Sequence, residues 1–279
     1  MDSFRAELML LRRRAATWVL LAIAILMGIF FSYVLPYTVY RGGSTTSSNF
    51  ATGLSPLLPD RLVSTLLGGF PFYFGMLTLI LGALAFGSEY GWGTLKTTLM
   101  QRSGRTRLLL AKLAALGVML VVFVAAIFVV GAASSVAIGL GEGAALHAPS
   151  LGDLARGLAS GWLILAVWAL FGALLAILSR GTALAIGVGI LYGLVIEGVV
   201  AGFGESIRLL RDVSQVFLRT NAYSLIAPLQ TGSGSAAAGG PGAFSGPYLD
   251  ASHALLVILA YLLVFSGLSA LLLARRDVT

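Results

Sequence analysis

Six long apolar runs constrain the fold of this chain more strongly than any other feature of its sequence. A helix of about 20 apolar residues, rising about 1.5 Å per residue, crosses the roughly 30 Å hydrocarbon core of a bilayer. The sequence therefore predicts an all-α, polytopic membrane protein in which residues 15–279 form one six-span transmembrane domain. We expect the first span to end at Pro36, because proline interrupts helical hydrogen bonding. The predicted spans are Ala15–Leu35, Leu62–Phe86, Leu108–Leu140, Leu154–Leu178, Thr182–Phe203 and Ser252–Ala274.

The composition agrees with a lipid environment. Hydrophobic residues make up 58% of the 279 positions and charged residues only 10%, against roughly 45–50% and about 25% in soluble domains. A soluble chain with so few charges could not cover its surface with polar groups. The net charge of +7 comes largely from basic clusters beside the apolar runs. This arrangement indicates membrane orientation, so we predict no nucleic-acid partner.

Neither a metal site nor a catalytic site is predicted. The absence of cysteine excludes disulfides, thiolate metal sites and cysteine nucleophiles. The two histidines, His147 and His253, are far apart and neither has a neighbour at ligand spacing. An intramembrane enzyme is disfavoured, because the chain lacks aspartate-rich pairs, an H-E-x-x-H motif and a G-x-S-x-G motif near either histidine.

The distribution of lysine and arginine predicts the orientation. In membrane proteins, lysine and arginine concentrate in the cytoplasmic loops, close to the ends of the spans. With the amino terminus inside, 12 of the 18 Lys and Arg residues would be cytoplasmic and 6 would be outside. We therefore expect a cell-membrane (plasma-membrane) protein with both termini in the cytoplasm.

Residues 1–14 precede the first span and predict a cytoplasmic amphipathic helix. Three apolar residues recur at i, i+4 and i+7 on one stripe: Phe4, Leu8 and Leu11. Three charged residues are predicted to lie away from that stripe: Arg5, Glu7 and Arg12. Such a helix can lie in the headgroup layer, where the arginines at 12–14 would bind anionic membrane lipid.

Two outer loops differ in character. Arg41–Pro59 is rich in Gly, Ser, Thr and Asn and predicts an irregular loop. The loop at about 204–251 is long enough to contain structure of its own. Its first part, Glu205–Thr220, has apolar residues at helical spacing, which predicts a short amphipathic helix at the outer interface. Its later part, Thr231–Pro247, is rich in Gly, Ala and Ser and predicts a mobile stretch.

The loop between the second and third spans predicts a short helix at about 88–104. Ser88 can cap it, and the carboxylate of Glu89 would lie in the first turn, where the helix dipole favours negative charge. Leu95 and Leu99 are i, i+4 neighbours and would form an apolar ridge beside Lys96. A short amphipathic helix in a cytoplasmic loop is too small to fold alone. The pattern therefore favours docking onto another protein.

This segment resembles the signature of the permease subunits of type-2 ATP-binding cassette (ABC) exporters. The resemblance rests on the E-x-x-x-G-T-L-K pattern at 89–96, the basic cluster at 102–107 and Lys112, and its position after the second of six spans. The amphipathic residues 1–14 and the long loop before the last span extend this resemblance over the whole chain. The sequence at 101–104, Gln-Arg-Ser-Gly, departs from the family, which often has a proline just before the arginine-containing turn.

The resemblance implies an exporter permease whose coupling helix fits a cleft on a cytoplasmic P-loop ATPase subunit. It also implies a second permease copy or a homologous permease, and Mg-ATP bound by the ATPase rather than by this chain. The residues carried over to coupling are Glu89, Gly93, Thr94, Leu95, Lys96, Leu99, Arg102 and Arg105.

The chain has no nucleotide-binding loop of its own. No glycine is followed by lysine, so the G-x-x-x-x-G-K-[ST] loop that cradles phosphates is missing. We therefore predict a transport subunit that is not itself an enzyme and carries no cofactor. A non-transporting membrane scaffold or sensor subunit remains an alternative. Insensitivity of function to changes in Glu89–Met100 would favour that alternative.

The fifth span carries small residues on one face. Ala185, Gly189, Gly193 and Glu197 follow each other at i, i+4 spacing, and small residues let helix backbones approach closely. Gly189, Gly193 and Glu197 are therefore predicted at a packing face within the subunit, at a dimer interface or along a substrate path. Glu197 would line the outer path or pair with an arginine of the following loop, because an ionisable group at this depth usually faces protein or water.

Aromatic residues cluster near the outer ends of the first two spans. The cluster predicts an interfacial aromatic belt, with a drug-binding wall as the alternative. Its members are Tyr33, Tyr37, Tyr40, Phe70, Phe72, Tyr73 and Phe74.

Overall fold

The computed structural model describes residues 2–42, 53–91, 105–203, 212–230 and 248–275, and every regular element within these ranges is a helix. The prediction of an all-α fold is confirmed. The α-helices are α1 Asp2–Arg13, α2 Ala15–Ile29, α3 Leu35–Arg41, α4 Leu62–Leu67, α5 Gly75–Gly91, α6 Arg105–Gly141, α7 Leu151–Ser179, α8 Thr182–Ile190, α9 Glu197–Phe203, α10 Leu218–Ile226 and α11 Ala251–Arg275. Short 3₁₀ turns at Ser55–Leu57, Pro59–Arg61 and Ala227–Leu229 connect some of them.

Six helical stretches in the described ranges are long and apolar enough to cross a membrane, which confirms the predicted number. They alternate in direction, so the end of the bundle that carries α1 also holds the end of span 2 and the start of span 3. We call this the α1 end and the opposite one the far end. The spans, numbered 1 to 6, are Ala15–Arg41, Phe70–Ser88, Arg107–Gly141, Leu151–Ser179, Thr182–Val200 and Ala251–Leu273.

Span 1 does not end at Pro36, contrary to the prediction. The helix continues to Arg41 because a single π-helical turn at Phe30–Val34 comes immediately before the proline. In this turn the N–H of Leu35 donates to the carbonyl of Phe30, five residues back. The wider turn shifts the hydrogen-bond register by one residue, so the chain passes the proline without breaking.

Spans 2 and 5 contain π-helical turns as well, at Phe70–Phe74 and Leu191–Ile196. All three turns lie in the far halves of their spans. Span 2 was predicted to begin at Leu62, but α4 ends at Leu67 and the membrane-spanning helix restarts after Gly68 and Gly69. Pro71 lacks a backbone N–H and follows two flexible glycines, so a straight helix cannot form across this stretch.

Spans 2 and 4 form the centre of the bundle, and they are buried over most of their length. Their backbones touch at two points. A side chain on Gly82 would collide with the carbonyl oxygen of Ala169, and one on Gly172 would collide with that of Leu79. Small residues permit such close approach of membrane helices, where dispersion contacts replace the hydrophobic effect as the source of packing energy. Spans 1, 3, 5 and 6 surround this pair and leave more of their surfaces exposed.

The predicted aromatic belt is partly wrong. Tyr33, Phe70 and Phe74 are almost completely buried in the core of the bundle. The rings of Phe70 and Phe74 meet edge to face, with centroids 5.0 Å apart. The π-turns at 30–34 and 70–74 direct these side chains inward, which the aromatic composition alone could not indicate.

Helix α1 packs along span 3, with the predicted stripe of Phe4, Leu8 and Leu11 against the core. The prediction that Glu7 lies away from this stripe is wrong, because Glu7 is only 5% exposed. Residue 7 is three positions after Phe4 and four before Leu11, which places it on the same helical face. The side chains on the opposite face of α1 are exposed: Arg5, Met9, Leu10, Arg12 and Arg13.

Polar contacts tie spans 1 and 3 together at the far end. The hydroxyl of Tyr37 donates to Glu142 Oε1 at 2.7 Å, and Arg41 Nη2 lies 2.7 Å from the same oxygen. The predicted irregular loop began at Arg41, which is the last residue of α3. Residues 43–52 of that loop lie outside the described residues, and its end contains the two 3₁₀ turns before α4. The predicted mobile stretch Thr231–Pro247 also lies outside them.

Candidate functional site

The predicted coupling segment lies mostly outside the described residues. Helix α5 ends at Gly91 and α6 begins at Arg105, so the structure describes both ends of the segment. Glu89 belongs to the last turn of α5, and Arg105 is the first residue of α6. The helix predicted between them stays a prediction. The coupling residues outside the described ranges are Gly93, Thr94, Leu95, Lys96, Leu99 and Arg102.

Charged contacts surround both ends of this segment at the α1 end of the bundle. The guanidinium of Arg14 donates to the carbonyl oxygen of Leu84 and to the hydroxyl of Ser88, each at 2.7 Å. Both acceptors lie on the last two turns of α5. On the other flank, Lys112 Nζ donates to Glu7 Oε2 at 3.0 Å. The start of the chain is therefore bonded to the two helices that enter and leave the coupling segment.

A second polar site lies at the far end of the bundle, where Glu197 follows the π-turn of span 5. Its side chain is 2% exposed. One carboxylate oxygen accepts the backbone N–H of Leu218 at 2.9 Å, and the other accepts that of Arg219 at 3.0 Å. These amides belong to the first turn of α10, where unpaired N–H groups and the helix dipole both favour an anion.

Helix α10 is a short buried element rather than a seventh span. Its nine residues are too few to cross the bilayer, and it packs against span 6, span 4 and the π-turn of span 2. Side chains of α10 bond to the chain on either side of it: Asn221 Nδ2 donates to the carbonyls of Gln215 and Phe217, each at 2.8 Å. At its other end, the hydroxyl of Ser224 accepts the N–H of Leu249 at 3.0 Å.

Arg219 connects α10 to span 2. Its guanidinium carbon lies 5.0 Å from the ring centroid of Phe72 and 5.6 Å from that of Tyr223. The side chain is 8% exposed, so these cation–π contacts act where little water competes. Burial also raises the pKa of Tyr223 to about 12, although the neighbouring Arg219 guanidinium opposes the shift. Phe72 belongs to the π-turn of span 2, and α10 therefore links that turn to the end of span 5.

The small-residue face of span 5 packs against the same chain. A side chain on Gly189 would meet Leu79 of span 2, and one on Gly193 would meet Met76 and Trp168 of spans 2 and 4. Glu197, on the same face, contacts the backbone of Arg219 in the following segment. The assignment of Gly189, Gly193 and Glu197 to a substrate path or a dimer interface stays a prediction.

Sequence reasoning missed α10. The helix predicted over Glu205–Thr220 lies partly outside the described residues, and α10 begins only at Leu218. Its polar and apolar residues are buried alike, and its nine residues are fewer than the about 11–18 over which helical periodicity is judged. The sequence feature that could have indicated α10 was Glu197, because an acidic residue in an apolar span needs polar partners nearby.

The described residues contain no group of three or more His, Asp or Glu side chains placed to hold a metal ion. A search of curated proteins found no match to this chain. The family pattern described as "ABC-2 family transporter protein" matches residues 3–196, which is more than two thirds of the chain. The match includes nearly all of α1, spans 1 to 4, the whole coupling segment and the π-turn of span 5. The resemblance to type-2 ABC permeases is thereby confirmed, and the chain belongs to the ABC-2 family of transporter proteins as a multi-pass membrane permease.

Proposed function

We propose that this chain is the permease subunit of an ATP-driven exporter, which forms the transmembrane pathway and is driven by a separate cytoplasmic ATPase. The family match over residues 3–196 carries this proposal, because it takes in the first four membrane helices, most of the fifth and the coupling segment between spans 2 and 3. The sequence has no phosphate-binding loop. Mg-ATP would therefore bind the partner subunit, and this chain would catalyse no reaction itself.

The α1 end would face the cytoplasm of a plasma-membrane protein, with both termini inside. The support is the excess of Lys and Arg in the segments at that end, 12 against 6 elsewhere. In this orientation, residues 92–104 face the ATPase, and Glu197 and α10 lie near the outer surface. Arg12 and Arg13, which are exposed at the end of α1, would contact the headgroups of anionic membrane lipid, whereas Arg14 is bonded to Leu84 and Ser88.

Transport would follow an alternating-access cycle. Closure of the ATPase subunits on ATP would push the coupling segment and tilt spans 1, 2 and 5. Each of these three spans contains a π-helical turn in its far half, and such turns occur frequently at functional sites. Movement of span 5 relative to span 2 would strain the contacts of α10, because α10 is bonded to Glu197 of span 5 and contacts Phe72 of span 2.

A second permease would complete the pathway, either another copy of this chain or a homologous one. Span 5 exposes an apolar face opposite Gly189 and Gly193, formed by Leu184, Leu191, Val195 and Val199. This face suits a protein or lipid neighbour, and a path lined by uncharged residues suits an amphiphilic cargo such as a drug, peptide or lipid-linked molecule.

Co-purification from native membranes tests the proposal. The full chain should bring down a P-loop ATPase, identified by mass spectrometry, together with ATPase activity. Glu89→Gln combined with Leu95→Ala should abolish recovery of the ATPase. Leu151→Ala, an exposed change at the far end, should leave it intact. Recovery of the chain without an ATPase, even after mild crosslinking, would overturn the proposal and favour a scaffold or sensor subunit.

A further inference from the structure

We infer that α1 is a strut for the coupling segment: it holds the two ends of residues 92–104 at a fixed separation, so that spans 2 and 3 move as one unit. This inference rests on the proposed coupling to an ATPase. It assigns positioning roles to Glu7, Arg14 and Lys112, none of which lies within the coupling segment itself.

The first contact of the strut is the ion pair between Glu7 and Lys112. The two residues are 5% and 6% exposed, and the charged atoms are 3.0 Å apart. Lys112 lies about two turns into the helix that leaves the coupling segment. Its ammonium group is also 5.9 Å from the ring centroid of Phe86, near the end of span 2. One lysine of span 3 therefore contacts both α1 and span 2.

A buried ion pair of this kind is weak evidence for stability. Well-packed apolar residues are often as stable or more stable in the same place, since burial removes water from both charges. What the pair supplies is a defined geometry, because the charges are satisfied in only one arrangement of the two helices. Fixed placement of α1 on span 3 is therefore the property that these two residues provide.

The second contact is made by Arg14, which joins the strut to the other flank. Its guanidinium donates to the carbonyl of Leu84 and the hydroxyl of Ser88, both at 2.7 Å. A cation at the carboxyl end of a helix also interacts favourably with the helix dipole. The two arginines before it, Arg12 and Arg13, are exposed. The third arginine of this basic run thus provides the contact with α5.

Glu7 lies in α1, and Arg14 is the extended residue that follows α1. Together α1 and this residue reach both the helix that enters the coupling segment and the helix that leaves it. If either contact is lost, a push on the segment can splay spans 2 and 3 instead of displacing them together. The ATPase would then still bind and hydrolyse ATP, but the far end of the permease would no longer respond.

The test uses the complete chain with its co-purified ATPase in lipid nanodiscs. The natural sequence has no cysteine, so Val216→Cys provides a single reporter at an exposed position outside the spans, just before α10. Its labelling rate by a membrane-impermeant maleimide is measured with and without Mg-ATP and vanadate. In the protein that carries the reporter cysteine and no other change, trapping the nucleotide should change the labelling rate several-fold.

Glu7→Gln, Lys112→Met and Arg14→Gln should each reduce this nucleotide-dependent change at least by half, while the amount of bound ATPase stays the same. The exchanged pair, Glu7→Lys with Lys112→Glu, should restore most of the change, and Arg5→Gln on the exposed face of α1 should preserve it. If a single variant of the ion pair does not accumulate in the membrane, the nucleotide responses of the exchanged pair and of Arg14→Gln test the inference instead.

A full nucleotide response in both Lys112→Met and Arg14→Gln would overturn the inference. Loss of bound ATPase in these variants would also overturn it, since α1 would then serve docking rather than positioning. Absence of an ATPase from the reporter protein itself would instead contradict the proposed function, and the two failures are therefore distinguishable.

Discussion

The carbonyl oxygen of Ala169 in span 4 occupies the space that a side chain at Gly82 of span 2 would need. The relationship is reciprocal, because the carbonyl of Leu79 in span 2 blocks a side chain at Gly172 of span 4. Neither obstacle is the end of a flexible side chain that could move aside. Spans 2 and 4 are consequently held at backbone contact, and the other spans assemble around this pair.

We expect Gly82→Ala to destabilise the folded bundle by about 1–3 kcal/mol or more, because the added methyl group forces two backbones apart. The measurement is unfolding of the purified protein in mixed micelles with increasing denaturing detergent. Gly187→Ala is the matched control: it lies in a membrane helix with nothing near its missing side chain, so better helix propensity should leave stability unchanged or slightly higher. Equal stability of the two variants would contradict backbone contact between spans 2 and 4.

Glu197→Ala should release the amino-terminal turn of α10. The change leaves two buried backbone N–H groups without their carboxylate acceptor, at a cost of about 1–3 kcal/mol each. Thr220→Cys, almost fully buried in α10, reports the opening through its rate of labelling by a membrane-impermeant maleimide. The rate should rise at least tenfold in Glu197→Ala and less in Glu197→Gln, which retains one acceptor oxygen. Unchanged protection of the cysteine introduced at position 220 in Glu197→Ala would show that packing alone holds α10.

The π-turns of spans 1 and 2 should be coupled through their hydroxyl groups. Ser32 Oγ lies 3.2 Å from the hydroxyl of Tyr73, and the ring of Tyr73 is 5.6 Å from that of Phe31. Ser32→Ala and Tyr73→Phe should each lower the free energy of unfolding by about 1 kcal/mol. The double variant should show a coupling energy of about 0.5–1.5 kcal/mol. Additive effects of the two changes would mean that the hydroxyls do not bond.

Labelling of intact cells should reveal the orientation of the chain. Leu151→Cys is highly exposed at the far end and Arg5→Cys is exposed on α1. We expect an impermeant maleimide to label the cysteine at 151 in intact cells and the cysteine at 5 only after permeabilisation. The reverse pattern would place the α1 end outside and remove the basis for coupling to a cytoplasmic ATPase. Equal labelling of both positions before permeabilisation would indicate damaged membranes, so an enzyme of the cytoplasm serves as the leakage control.

Features that repeat along the chain were predictable from the sequence. The number of spans follows from hydrophobic length, since a bilayer of fixed thickness requires about 20 apolar residues per helix. The amphipathic start was also predictable, because Phe4, Leu8 and Leu11 show the helical period directly. Family membership followed from the order of Glu89, Gly93 and Thr94–Lys96 after the second span, and the match to the ABC-2 family confirms it.

Some predictions failed, for reasons that differ from case to case. Pro36 should end a helix by local rules, yet a π-turn before it keeps span 1 continuous to Arg41. Glu7 was placed on the wrong face of α1, although its spacing from Phe4 already put it on the apolar stripe; its partner Lys112 is 105 residues away. The short helix α10 is only nine residues long, too short for its periodicity to indicate a helix, and it begins where Glu197 accepts the backbone N–H groups of its first turn.

The sequence alone thus determined how many times the chain crosses the membrane, which family it belongs to and where an acid lies within an apolar span. These properties depend on local hydrophobicity and on residue order, which can be read along the chain. The tertiary structure alone decided that Gly82 meets Ala169, that Glu7 and Arg14 join the flanks of the coupling segment, and that Glu197 caps α10. Each of these contacts joins segments remote in sequence, and its energy arises only when packing brings backbones together and removes water from the charges.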